Sequence, residues 1–95
     1  MPLVLIRHKV ANYAKWKLAV RRFAKFRKAS GEECFKVFRA SNSPNDLTLL
    51  CSWSTPAKMK KFIKSAELRQ AMKEAGVVSK PEVRFFGASE DLSVG

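Results

Sequence analysis

His8 is the only histidine in this 95-residue chain, and it falls in an awkward place. Strand alternation puts it on one face with Val4, Ile6 and Val10, an otherwise apolar set. An imidazole there can act as a general base or anchor a ligand. The plainer reading is a core histidine satisfied by one hydrogen bond. Arg27 is the second misfit. At 100° per residue it lies between Trp16, Val20 and Phe23, inside an apolar stripe rather than a basic one. It reads either as a last-turn side chain that favours the helix dipole and snorkels to water, or as a cation aimed into a pocket, ready for a carboxylate or enolate. Tyr13, Trp16 and Trp53 are aromatic at spacings that suit core packing, and they would wall such a pocket if one exists. The site expected from sequence is therefore His8 as acid/base, Arg27 as anion partner, and Tyr13, Trp16 and Trp53 as walls.

Other chemistries lack their residues. No second histidine is present to build a metal centre, and no metal site or cofactor is expected. No carboxylate in the N-terminal third can orient His8. Ser-His-Asp sets, phosphate-cradling glycine loops and paired acids are missing as well. Cys34 and Cys51 lack metal-ligand spacing; both read as buried thiols, kept out of register by a turn centred near Pro44.

The elements that must position these residues follow from periodicity. Residues 2–10 read as a strand. Asn12 caps a helix running to about Ser30, where Gly31 stops it. Tyr13, Trp16, Ala19, Val20, Phe23 and Phe26 share one face of it, and Lys15, Lys17, Arg21, Arg22, Lys25 and Lys28 the other. Strands follow at Glu33–Ala40 and Asp46–Ser54, separated by the turn-forming run Ser41–Asp46. Thr55-Pro56 opens a second helix, which restarts at Ser65-Ala66-Glu67 and ends at Gly76. Pro81 leads into a last strand, Glu82–Gly87. The order β-α-β-β-α-β is that of a ferredoxin-like split unit of the α+β class. One domain over 1–88 and a polar tail over 89–95 are expected.

Two helices can cover one face of a four-stranded sheet. The runs Leu3–Ile6, Leu47–Cys51 and Val83–Phe86 do not alternate cleanly, so the other face is expected to be apolar and open. A second copy of the chain is the natural cover, giving a homodimer. Nineteen Lys and Arg face eight Asp and Glu, a net charge of +11, so two copies repel and apolar burial must hold them. An open sheet on a basic protein also suggests RNA recognition, but the central strands are aliphatic where stacking rings are required. Nucleic acid is not an expected partner by that route; weak polyanion binding through the basic helices is a third reading. No run approaches the roughly 18 apolar residues of a membrane span, no membrane partner is expected, and residues 1–10 lack a signal-peptide layout. The expected location is cytoplasmic.

Several runs carry a family resemblance: Arg7-His8-Lys9-Val10 with Tyr13 and Lys15-Trp16-Lys17, then Arg27-Lys28-Ala29 with Gly31, Val37-Phe38-Arg39, Pro44-Asn45 and Trp53. Ser65-Ala66-Glu67-Leu68-Arg69 with Ala71-Met72, Ala75-Gly76-Val77 and Pro81 extends it over about residues 3–87. The chain resembles the antibiotic-biosynthesis-monooxygenase-like branch of the dimeric α+β-barrel proteins. The resemblance implies a ferredoxin-like protomer forming a dimeric α+β barrel, with a pocket between sheet and helices in each protomer. It also implies a choice of activities, among them cofactor-independent oxygenation of aromatics, haem degradation, and stress-responsive or cyclase roles. The haem-degrading pattern needs a histidine in the second half, which is absent. His8 loosely matches the first-strand histidine of the cyclase-like members. The function expected is binding of a small aromatic or anionic molecule, as a cofactor-independent monooxygenase-like enzyme or, alternatively, as a non-catalytic structural or stress-associated dimer.

Overall fold

The computed structural model describes residues 2–87 and 90–94. Its elements run β1 (Leu3–Lys9), α1 (Tyr13–Arg22), α2 (Ala24–Ala29), β2 (Glu32–Ala40), β3 (Ser43–Trp53), α3 (Pro56–Ile63), α4 (Ala66–Glu74) and β4 (Glu82–Phe86). The four strands form one antiparallel sheet in the order β2-β3-β1-β4. The ferredoxin-like α+β architecture expected from sequence is the one observed. The expected domain end at residue 88 lies outside the described residues, as do residues 89 and 95 of the expected tail.

Local chemistry sets the helix starts. Side chains of Asn12, Thr55 and Ser65 accept from the amides of Lys15, Lys58 and Leu68, satisfying N–H groups that the first turn leaves free. Ser65 divides the second helical segment into α3 and α4, as its capping pattern predicts. The first segment, expected to be continuous to Ser30, is instead broken at Phe23. The interruption is slight, since the Phe23 amide still donates to Ala19 and its carbonyl accepts from Arg27.

The core lies between the helices and one sheet face. Val4, Ile6, His8 and Val10 from the first strand region and Leu47, Leu49, Cys51 and Trp53 from β3 are buried. Trp16 from α1 and Met59 and Phe62 from α3 close over them. The lysines and arginines expected on the outer face of α1 and α2 are exposed.

Three expectations are corrected. First, the β2–β3 hairpin turns at Ser41-Asn42, with Ala40 paired to Ser43, and Pro44, Asn45 and Asp46 belong to β3. Proline is tolerated there because Pro44 lies beyond the end of the β1 pairing at Asp46 and within the register irregularity between the Arg39–Leu47 and Ala40–Ser43 pairs of β2 and β3. Second, this tighter register sets Cys34 opposite Ser52 and Phe35 opposite Cys51. The cysteines therefore point to opposite faces, and Cys34 is exposed rather than buried. Third, the open face is only partly apolar. Leu3, Leu5 and Leu50 are half-buried on it beside the exposed Phe38 and Phe86. Register also places Arg7, Lys36, Glu82 and Arg84 there, and Arg7 is ion-paired to Asp46 at 2.9 Å.

Candidate functional site

Between the helices and the sheet lies a cavity of about 60 Å³, walled by His8, Trp16, Arg27, Glu32, Phe35 and Trp53 among other side chains. Five elements contribute those six residues: β1, α1, α2, β2 and β3. The walls are mostly apolar, and His8, Arg27 and Glu32 are the ionisable side chains among the six.

His8 is 3% exposed, and neither ring nitrogen has a hydrogen-bond partner among the described residues. Its ring meets Trp16 edge-on, centroids 6.1 Å apart. Burial lowers its pKa from the ordinary 6.5, because the charged imidazolium loses water. At neutral pH His8 is thus a neutral imidazole with one free N–H and one free lone pair.

Arg27 points into the cavity, where its stripe position placed it, but it does not stand free. Nη1 lies 2.6 Å from Oε1 of Glu32. Nη2 donates to the Val20 carbonyl at 3.3 Å, and Cζ sits 4.5 Å from the centre of the Phe35 ring. Nε has no partner. Glu32 is therefore the charged cavity side chain that sequence reasoning missed. Gly31, at φ 97°, turns the chain sharply out of α2 so that the next residue starts β2 and swings back toward Arg27. The glutamate side chain is 6% exposed and its second oxygen, Oε2, has no partner among the described residues. Burial holds the Glu32 carboxyl above its usual range, with the guanidinium pulling against that rise. The available signal was Arg27 itself: a cation in an apolar stripe needs a counter-charge, and Glu32 is the first acid after it in the chain.

Trp16 and Trp53 both line the cavity, and the indole N–H of the wholly buried Trp53 has no partner among the described residues. Tyr13 does not line it. Its ring stacks on Trp16 at 5.8 Å and is capped by Arg39, whose Cζ lies 3.8 Å from the ring centre, so it buttresses the tryptophan from outside. Cys51 also lines the cavity, but burial pushes its thiol far above the usual range, leaving it un-ionised and a poor nucleophile. Among the described residues no three His, Cys, Asp or Glu side chains gather to hold a metal ion, and no helix is long and apolar enough to cross a membrane.

No family model and no curated protein matches the chain. Solved structures do. A candidate antibiotic biosynthesis monooxygenase from Bordetella bronchiseptica superposes with a TM-score of 0.76 at 18% identity, covering 94% of this chain and 97% of that one. SnoaB, a cofactor-independent oxygenase from Streptomyces nogalater, gives 0.75 at 16% identity over 96% and 95% of the two chains. A candidate antibiotic biosynthesis monooxygenase from Caulobacter crescentus gives 0.73 at 17% identity over 94% and 90%. At such identities the likeness is one of fold. The chain has the fold of the antibiotic-biosynthesis-monooxygenase-like proteins.

Proposed function

We propose that the protein binds a small aromatic molecule in the cavity beneath its helices and oxygenates it without a cofactor, His8 serving as general base. The observation that carries this reading is a neutral, unpartnered imidazole facing an aromatic cavity. Oxygenation without a cofactor requires the substrate to supply its own two electrons. A methylene activated by neighbouring rings does so: R–CH2–R′ + O2 gives R–C(=O)–R′ + H2O. His8 takes one proton from the methylene, the carbanion adds O2, and the imidazolium returns the proton to the peroxide, which loses water as the carbonyl forms. Such proton transfer by a positioned side chain is worth about 10²–10⁴ in rate. The SnoaB likeness supports the cofactor-independent class.

The cavity must widen to admit a ring, since an apolar cavity of about 150 Å³ is the size that takes benzene. Phe62 and Phe23 wall it and also line grooves on the outer surface, so they are the natural gate. Pairing of two copies through the open sheet face belongs to this reading. Its support is the half-buried Leu3, Leu5 and Leu50 with the exposed Phe38 and Phe86.

Oxygen uptake with anthrone as substrate tests the activity. The wild-type chain is expected to accelerate uptake and His8→Gln to lose roughly 10²-fold or more of that acceleration, with an unchanged fold by circular dichroism. A protein that neither binds the ring nor consumes oxygen is the non-catalytic dimer instead.

A further inference from the structure

The Arg27–Glu32 pair changes what the cavity can accept. Arg27 has one Nη on Glu32 and the other on the Val20 carbonyl, and its plane rests on Phe35. The two-pronged face a carboxylate would grip is occupied. An anion entering the cavity would also meet the Glu32 carboxylate, a like charge in a site poor in water. The opposite holds for a hydrogen-bond donor. Oε2 of Glu32 is buried without a partner, and an unmet acceptor of that kind carries a desolvation cost that a donated hydrogen bond removes. Nε of Arg27 and Nε1 of Trp53 are buried donors, unpartnered among the described residues, on side chains that wall the same cavity. An acceptor and donors thus belong to residues of one cavity wall, the two functions that a hydroxyl group, which donates once and accepts as well, can meet.

We propose that Glu32, held by Arg27, is the specificity-determining residue of the cavity: it accepts a hydrogen bond from an uncharged hydroxylated ring and excludes anionic rings of the same size. This rests on the small-molecule reading above and reverses the role that Arg27 has when considered alone. Glu32 selects the ligand, and Arg27 positions Glu32.

Three one-ring probes separate the possibilities in titrations of the full chain at neutral pH, followed through the tryptophan indole N–H resonances. Phenol is expected to bind tighter than benzene by roughly tenfold or more, the worth of a hydrogen bond to a charged group, and benzoate to bind weakest. In Glu32→Gln the Arg27 charge is no longer balanced, so benzoate should gain on phenol. Arg27→Met/Glu32→Leu removes both charges together; such apolar replacements of buried pairs are well tolerated, which keeps the test open should Glu32→Gln fail to fold. In that double variant the advantage of phenol over benzene should vanish. Benzoate binding tighter than phenol in the wild type, phenol binding no tighter than benzene, or a preference for phenol that persists in the double variant would each overturn the role of Glu32. Failure of all three probes, benzene included, would overturn the binding reading itself and this inference with it.

Discussion

At the residue scale the proposed chemistry turns on a few buried polar atoms that have no partners among the described residues. His8 contributes a pH dependence whose sign follows from burial. Its folded pKa lies below 6.5, while the unfolded chain takes up the proton near that value. Stability is therefore complete above about pH 6.5 and falls as pH drops below it, levelling once the pH passes the folded value. Glu32, with its folded pKa raised, acts with the opposite sign: its contribution is present below the ordinary carboxyl value and lost as pH rises through the folded one. His8→Phe leaves Glu32 in place, so the difference between variant and wild type isolates the histidine. Thermal melts from about pH 7 to about pH 5 should show the wild type losing stability relative to the variant. Parallel curves would mean that His8 titrates as it does in the unfolded chain.

At the element scale the site depends on how α2 hands over to β2. Gly31 (φ 97°) and Gly76 (φ 80°) both occupy the left-handed region that favours glycine, but their surroundings differ. A Cβ on Gly31 would lie 2.8 Å from the Ser54 hydroxyl and 2.9 Å from the Lys58 side chain, whereas one on Gly76 would meet nothing closer than 3.9 Å. Gly76→Ala should cost about 1–2 kcal/mol for backbone strain alone. Gly31→Ala should cost more, by about 1 kcal/mol or above, because Ser54, whose backbone N–H donates a hydrogen bond to the Gly31 carbonyl, is held in place and must shift. Denaturant melts of the two variants check the order, and equal losses would contradict the steric argument. Since Glu32 follows directly, Gly31→Ala should also weaken phenol binding.

At the scale of the whole molecule, the proposed pairing of two copies works against a net charge of +11 on each, so apolar area on the open face would have to offset the repulsion. Light scattering at low ionic strength should give twice the 10.7 kDa chain mass. Leu5→Asp should give the monomer, since it places a charge beside Leu50, its partner across the strands. A wild-type monomer at low salt would remove the dimer. The charged residues that cross this face, Arg7 with Asp46, Glu82 and Arg84, sit where cross-face pairing would fix the register of two copies.

The sequence by itself determined the order of elements, the caps at Asn12, Thr55 and Ser65, the stops at Gly31 and Gly76, and the face on which His8 lies. These are local matters, set by backbone geometry and by hydrogen bonds within a few residues, so a linear reading reaches them. Arg27 within an apolar stripe was legible for the same reason. The tertiary structure decided the rest. The hairpin tightened to Ser41-Asn42 because pairing along β2 and β3 outweighs the turn preference of Pro44-Asn45. Tyr13 stands behind Trp16 because Arg39, 26 positions away along the chain, covers its ring. Glu32 became part of the cavity only when the turn at Gly31 brought it to Arg27. The charge of a buried site is a sum over neighbours, and which neighbours a side chain meets is settled by the folded chain rather than by its own place in the sequence.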